Sequence, residues 1–472
     1  MKHSFIRAVI SGTFLMGLLV AVQVEAKATI RRVPADYSTI QQAINASVND
    51  DTVAVAPGTY VENINFLGKA IIVTSEAGPQ VTIIDGNRAG PVVTLVSGEG
   101  RASVLSGFTL RNGQGPGFIP EGGGIRINNS SPTITRNVIT QNAACEGIGI
   151  LVDSGSPLIQ SNTITDNAIQ LCTGGSGGGG ILILRNSTPE IYDNIISDNF
   201  LDSRGGGIAS VVGAPVIKRN LIDHNGANSG CGIALLGGSA IIEDNIISNN
   251  LVFASSGGSG GGGISVLSGA NADILDNKII DNFMPTSNGG GVSVSFGGQT
   301  TIRGNLIRGN TSFLEGGGVY LNVGSTLVVQ NIIVKNVAFS NGGGIWGLAG
   351  VSLVNNTIAE NQSPTVSGVY GSGSFMTSLY NNIVVGTPGI PALFCDSTFE
   401  SNPAIFMNND IYTPNGIAIA GQCSTIVGTS GNISADPLFV SSSTSDYHLR
   451  PGSPSIDAPL VTIPLRIFHL QI

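Results

Sequence analysis

Asp166, Asp198, His224, Asn249 and Asp281 each stand directly before an asparagine, and those asparagines recur every 25 to 32 residues. If each interval is one structural unit, these side chains form a column, one unit apart. Closely spaced carboxylates repel, so one member of such a pair holds its proton to higher pH and can act as an acid. Two carboxylates flanking a glycosidic bond are what its hydrolysis requires. Asp166, Asp198 and His224 are therefore the candidate catalytic set. Clustered carboxylates also suit calcium, a hard cation. The same column carries Gln141, Gly309, Lys335 and Glu360, a mixture that a solvated outer turn would equally allow.

Two other columns have chemical potential. Asp244 and Asp276 occupy matching places in adjacent units, with Asp193 two units before Asp244, so a calcium ion could bridge the adjacent pair. Exposed corner acids would give the same pattern. The third column reads Arg126, Leu151, Leu182, Ala209, Ala234, Ser265, Ser293, Tyr320, Trp346 and Tyr370. It follows the first apolar position of each unit, so it is expected to face outward. Its last three members, including the chain's single tryptophan, would form a stripe for stacking on sugar rings. A covered aromatic ladder, buried by the C-terminal segment, is the alternative.

These columns depend on a repeat that can be counted. Asn137, Asn162, Asn194, Asn220, Asn245, Asn277, Asn305, Asn331, Asn356 and Asn382 are separated by 25 to 32 residues, and all but the last are followed five residues later by a second Asn. Ile, or Val384 in the last unit, stands two residues after each. Glycine clusters such as Gly122-Gly123-Gly124 and Gly316-Gly317-Gly318 open the units. A fixed period of this size means a solenoid. Short runs rich in Ile and Val, alternating with period two, make each unit a coil of β-strands. Stacked Asn side chains would satisfy backbone groups at buried corners, and Asn tolerates the left-handed conformation such corners need. The expected fold is an all-β parallel β-helix of ten or more rungs. Thr39–Val48 reads as an amphipathic helix capping the first coil, followed by a strand over Thr52–Ala56 and a turn at Pro57-Gly58. Between coils, two long loops, Ala168–Gly179 and Leu251–Gly262, would project from one side and frame a shallow cleft.

Composition agrees. Glycine supplies 67 of 472 residues without a collagen period, and the mean hydropathy of +0.28 argues against disorder. Residues 1–26 read as a signal peptide: Lys2 and Arg7, an apolar run Phe14–Val22, then Val24-Glu25-Ala26. Its removal would take the formal charge from −9 to −10, a poor balance for binding nucleic acid. No further apolar run is long enough for a span, so the mature chain is expected to be soluble outside the cytoplasm, and monomeric. The remainder divides into a parallel β-helix with an N-terminal cap over 27–386 and C-terminal rungs with a cap over 387–472, whose apolar end, Pro459–Ile472, is atypical. Five cysteines suit an oxidising compartment. Cys145–Cys172 and Cys395–Cys423 are the expected disulfides, leaving Cys231, although buried free thiols are also possible.

The segments Tyr37–Ile44, Ala56-Pro-Gly-Thr-Tyr60-Val-Glu62 and Thr82-Ile-Ile-Asp-Gly86 resemble the first coil of secreted right-handed β-helix proteins of the pectin-lyase-like superfamily. The Gly-Gly-Gly-Ile and Ile-x-x-Asn units resemble the repeats of polymorphic outer-membrane proteins, which are adhesins. Asp436-Pro-Leu-Phe439, Asp446-Tyr-His-Leu449, Pro451-Gly-Ser-Pro454 and Ile456-Asp457-Ala458 resemble the closing segment of bacterial β-helix proteins. The resemblance implies a right-handed helix and a secreted protein that binds polysaccharide or cell-surface glycan, or else a polysaccharide lyase or glycoside hydrolase. It lends no catalytic set, because the arginine-containing lyase signature, the paired-aspartate esterase motif and the Asn-Thr-Asp and Gly-His-Gly hydrolase motifs are all missing. Basic residues such as Arg136, Arg185, Arg204, Lys218 and Arg219 are scattered.

Overall fold

A computed structural model describes residues 28–115, 121–169, 177–252, 260–347, 350–373, 378–396, 398 and 405–456. Their strands are short because every few residues the chain must turn a corner. One coil runs Thr133–Thr135, Val138–Thr140, Ala143–Ala144 and Ile150–Asp153 before the next begins at Leu158. Stacking assembles a first sheet of 15 strands (Ile30–Val33 to Ile405–Met407), a second of 14 (Gly58–Val61 to Asp410–Tyr412) and a third of 14 (Ile64–Asn65 to Ile419–Gly421). All three are parallel and wound right-handed, as crossovers between parallel strands almost always are. In the second sheet each three-residue strand turns its middle residue inward. Ile139, Ile164, Ile196, Ile222, Ile247, Ile279, Ile307, Ile333 and Ile358 therefore sit in register, all fully buried, as one continuous stack.

The asparagine ladders hold the corners. In the first, the Asn194 amide nitrogen donates to Asn220 Oδ1 at 2.9 Å and to the Ile159 carbonyl at 2.9 Å, while its Oδ1 accepts from the Asn162 backbone N–H at 2.9 Å. Every amide atom is thereby satisfied away from water, and the pattern repeats rung by rung. The ladder continues past Asn382 to Asn409 and Asn432 through bonds of 3.0 and 2.9 Å. Coils thus persist beyond residue 386 as far as the Ile419–Gly421 strand. The antiparallel hairpin of Phe439–Ser441 and Asp446–Leu449 then lies against the side of the solenoid, where the Tyr447 hydroxyl donates to Glu360 Oε2 at 2.7 Å.

At the other end, helix α1 spans Ile40–Ala46, with the Thr39 side chain capping Gln42 N. Ile40, Ala43 and Ile44 are fully buried, as the amphipathic pattern requires, whereas Val48 falls beyond the helix and is exposed. Asp51, also buried, ties this end together: it accepts from Thr29 N (2.8 Å), Val48 N (3.0 Å) and Arg31 Nε (2.9 Å). Burial pushes its pKa up, but these hydrogen bonds outweigh burial and hold the carboxyl below its ordinary range. A depressed folded-state pKa contributes stability that is present above the unfolded value and is lost as pH falls through the folded one. Amide exchange at residues 28–56 is therefore expected to accelerate selectively as pH drops below about 4, and in Asp51→Asn at neutral pH. Uniform protection along the solenoid under both conditions would contradict this.

Candidate functional site

The candidate catalytic and metal columns share a local cause. Asp166, Asp198, His224 and Asp281 have φ of 54, 54, 53 and 56°, and Asp193, Asp244 and Asp276 have 56, 56 and 55°. Each is the left-handed corner residue directly before a ladder asparagine, a conformation in which Asn, Asp and His are enriched. Asp166, His224, Asp244 and Asp276 are exposed and Asp198 half-buried. The Asp276 carboxylate occupies the space where a Cβ on Gly304 of the following rung would lie, so it leans away from Asp244. Asp193 is claimed by Arg219, with Nε 2.8 Å from Oδ1, which holds its carboxyl below the usual range. His224 Nδ1 stands 2.6 Å from Oδ2 of Asp223, a neighbour the sequence reading had not singled out. Asp223 is further tied to Ser248 Oγ (2.5 Å) and Asn249 Nδ2 (2.8 Å). Among the described residues, no three His, Cys, Asp or Glu converge to hold a metal ion.

The third column is better formed. Its strands Val319–Asn322, Ile345–Gly347, Val369–Gly371 and Leu393–Cys395 pair in register, aligning Tyr320, Trp346, Tyr370 and Phe394. Ring centroids are 4.7, 6.4 and 5.3 Å apart, with interplanar angles of 15, 8 and 25°. Phe394 is a fourth member that sequence reading missed, because Ala392 stands where the other coils carry a glycine directly before the strand.

The expectation that this column faces water is corrected. It points away from the isoleucine core, yet Leu182, Ala209, Ala234, Ser265 and Ser293 are fully buried, and Tyr320 and Trp346 are each 7% exposed. The reason is the glycine corner preceding each strand, which folds back over it. At Gly316, φ is +62° and an added Cβ would lie 2.9 Å from Tyr320 Cα, so only glycine permits this approach. The described part of the C-terminal segment is not the cover, since its hairpin packs on the second sheet. Tyr370 and Phe394 remain half-exposed.

Polar groups surround the rings. Tyr320 borders a 490 Å³ cavity lined by Arg204, Ser287, Asn288, Ser295, Phe296 and Asn322. Burial, helped by Glu315, pushes the Tyr320 phenol up, and burial raises Glu315 itself. Tyr370 donates to Asp396 Oδ2 at 3.3 Å, and Ser372 Oγ donates to the same oxygen at 2.5 Å. The Trp346 indole nitrogen is buried with no hydrogen-bond partner among the described residues. The long loops at 168–179 and 251–262 lie mostly outside the described residues, and so does the cleft expected between them.

The profile of the right-handed β-helix region matches residues 96–257 and 216–433. The chain belongs to this family. No curated protein matches the sequence. Among solved structures, this β-helix is similar to the A-module of a mannuronan C-5 epimerase from Azotobacter vinelandii, at 15% identity and a TM-score of 0.37 over 84% of this chain and 94% of that one. It is also similar to a periplasmic alginate epimerase (14%, 0.37, 79% of this chain and 84% of that one) and to a surface adhesin of Streptococcus pneumoniae (13%, 0.32, 81% and 87%). At such distances the likeness concerns the winding of the chain alone.

Two cysteines behave as expected. Cys395 and Cys423 form a disulfide, with Cα atoms 5.6 Å apart. Cys145 is also disulfide-bonded, while Cys172, its expected partner, lies outside the described residues. Cys231 is a free, buried thiol pushed up to about 12 by desolvation. Residues 1–27, and with them the expected signal peptide, fall outside the described residues, as do 457–472. No described helix is long and apolar enough to cross a membrane.

Proposed function

We propose that this β-helix is a secreted or surface protein that binds polysaccharide along the outer face of its third sheet. The observation that carries the reading is the four-ring stack of Tyr320, Trp346, Tyr370 and Phe394, aligned with the solenoid axis and continuous with a cavity rimmed by hydroxyl and amide groups. The half-exposed rings of Tyr370 and Phe394 offer apolar surface to a sugar ring, and the flanking Ser, Asn and Tyr groups suit its hydroxyls. A repeating scaffold presents such contacts at a fixed interval, as an extended polymer does.

A second reading, a glycoside hydrolase or polysaccharide lyase at Asp166, Asp198 and His224, is favoured by the Asp223–His224 contact, a carboxylate-oriented imidazole. One experiment separates the two. The purified protein is screened against neutral and acidic polysaccharides, with and without calcium, following Trp346 fluorescence, new reducing ends and unsaturated products together. The binding reading expects a saturable fluorescence change with no product. Product formation lost in His224→Ala would overturn it in favour of the enzyme. A calcium requirement lost in Asp244→Asn would assign the Asp244–Asp276 pair as the cation site.

A further inference from the structure

A separate pocket opens at the corner between the first and second sheets, near the C-terminal end. Asn355, Asn381 and Asn408 are left-handed corner residues of three successive coils, with φ of 54, 52 and 55°. With Asp410 and Ser455 they line a cavity of 210 Å³, roughly seven water volumes at about 30 Å³ each. Its interior is polar and incompletely satisfied. Asn408 is only 6% exposed, and both its amide oxygen and its amide nitrogen lack a hydrogen-bond partner among the described residues. This contrasts with Asn409 beside it, whose amide is fully engaged in the ladder. Asp410, 3% exposed, accepts from Ala435 N (3.0 Å) and Ser455 Oγ (2.5 Å), and each carboxylate oxygen keeps a lone pair for one further donor.

The chemistry of these groups selects the ligand. A bound cation would satisfy the Asn408 oxygen and leave its NH₂ buried and unpaired, at a cost comparable to losing a hydrogen bond. A pair of neighbouring hydroxyls satisfies both: one donates to the amide oxygen and the other accepts from the nitrogen. Among the described residues no basic side chain lines the pocket and Asp410 is its one acidic group, so an anionic sugar would meet repulsion without compensation. Asn381, half-buried, and Asn355, exposed, continue the amide column toward solvent.

We propose that this pocket binds a single neutral sugar unit through a vicinal diol held by Asn408 and Asp410, independently of the aromatic stack. The test is calorimetric titration of the full chain with methyl glycosides of neutral hexoses, with methyl glycosides of uronic acids, and with calcium. The expected result is saturable binding of at least one neutral hexoside, one per chain, weakened at least tenfold in Asn408→Gly. Glycine keeps the corner conformation, as Gly304 does in the same column at φ +69°, so the melting temperature should hold. Asn381→Gly, nearer the mouth, is a second variant expected to weaken binding should Asn408→Gly fold poorly. The proposal is overturned if no neutral hexoside binds, if both variants bind as the parent does, or if calcium or the uronides alone bind. None of those outcomes bears on polymer binding at Trp346, which the fluorescence screen reads separately.

Discussion

Asn225→Ala is expected to destabilise the centre of the solenoid by about 2–5 kcal/mol. The side chain is fully buried and makes more bonds than a surface amide ever does. Its Oδ1 accepts from the Asn199 backbone N–H (3.2 Å) and the Asn199 amide (3.0 Å), and its Nδ2 donates to the Ile196 carbonyl (2.8 Å) and Asn250 Oδ1 (3.1 Å). Alanine leaves the Asn199 N–H and the Ile196 carbonyl without these partners, and each buried orphan costs about 1–3 kcal/mol. No water can replace the lost groups unless the corner opens. Because each rung contacts only its neighbours, the loss should appear as local opening of coils around residues 194–250 before global unfolding. Urea titration with hydrogen exchange reads both. A loss below about 1 kcal/mol, or exchange confined to the chain ends, would show that the ladder is ornamental.

The repeat was legible in the sequence because one residue type, Asn, recurs at the ladder position of every coil from Asn137 to Asn382. Only Asn carries a donor and an acceptor on a side chain short enough to bond its own strand and the next rung, so the spacing of Asn137 to Asn382 could be counted without a structure. The same signal reached further than it was followed: Asn409 keeps Ile411 two residues on, just as the earlier members do. What the spacing could not reveal was cover. Period-two alternation separates inward from outward side chains, but not outward and solvated from outward and roofed. The roof over Leu182, Ala209 and Ser265 is built by glycine backbone, which has no apolar side chain to betray it. The acidic columns carry two meanings for a related reason. Left-handed corners favour Asp, Asn and His for conformational reasons, and these are also the residues of catalysis and metal binding. The Asp223–His224 contact and the orphaned Asn408 depend on side-chain direction, which periodicity does not encode.

Trp346→Ala and Trp346→Phe are expected to differ sharply, and the difference reports what the stack is for. The indole is 93% removed from solvent relative to full exposure, sandwiched between Tyr320 at 4.7 Å and Tyr370 at 6.4 Å. Alanine would empty that space and cost about 3–5 kcal/mol, the range for deleting a large buried aromatic. Phenylalanine keeps a ring in the stack and removes the indole N–H, which has no partner among the described residues, so its cost should stay below about 1.5 kcal/mol despite the smaller volume. If the rings serve only to fill space, Trp346→Phe should bind polysaccharide no worse than the parent. If the buried N–H is kept for a sugar hydroxyl, Trp346→Phe should fold normally and bind at least tenfold more weakly, a deficit of about 1.4 kcal/mol or more. Melting temperature and affinity electrophoresis in polysaccharide gels, measured on both variants, decide between these outcomes. A protein that keeps an unpaired donor in its interior sacrifices stability for it, and binding is the gain that would retain it.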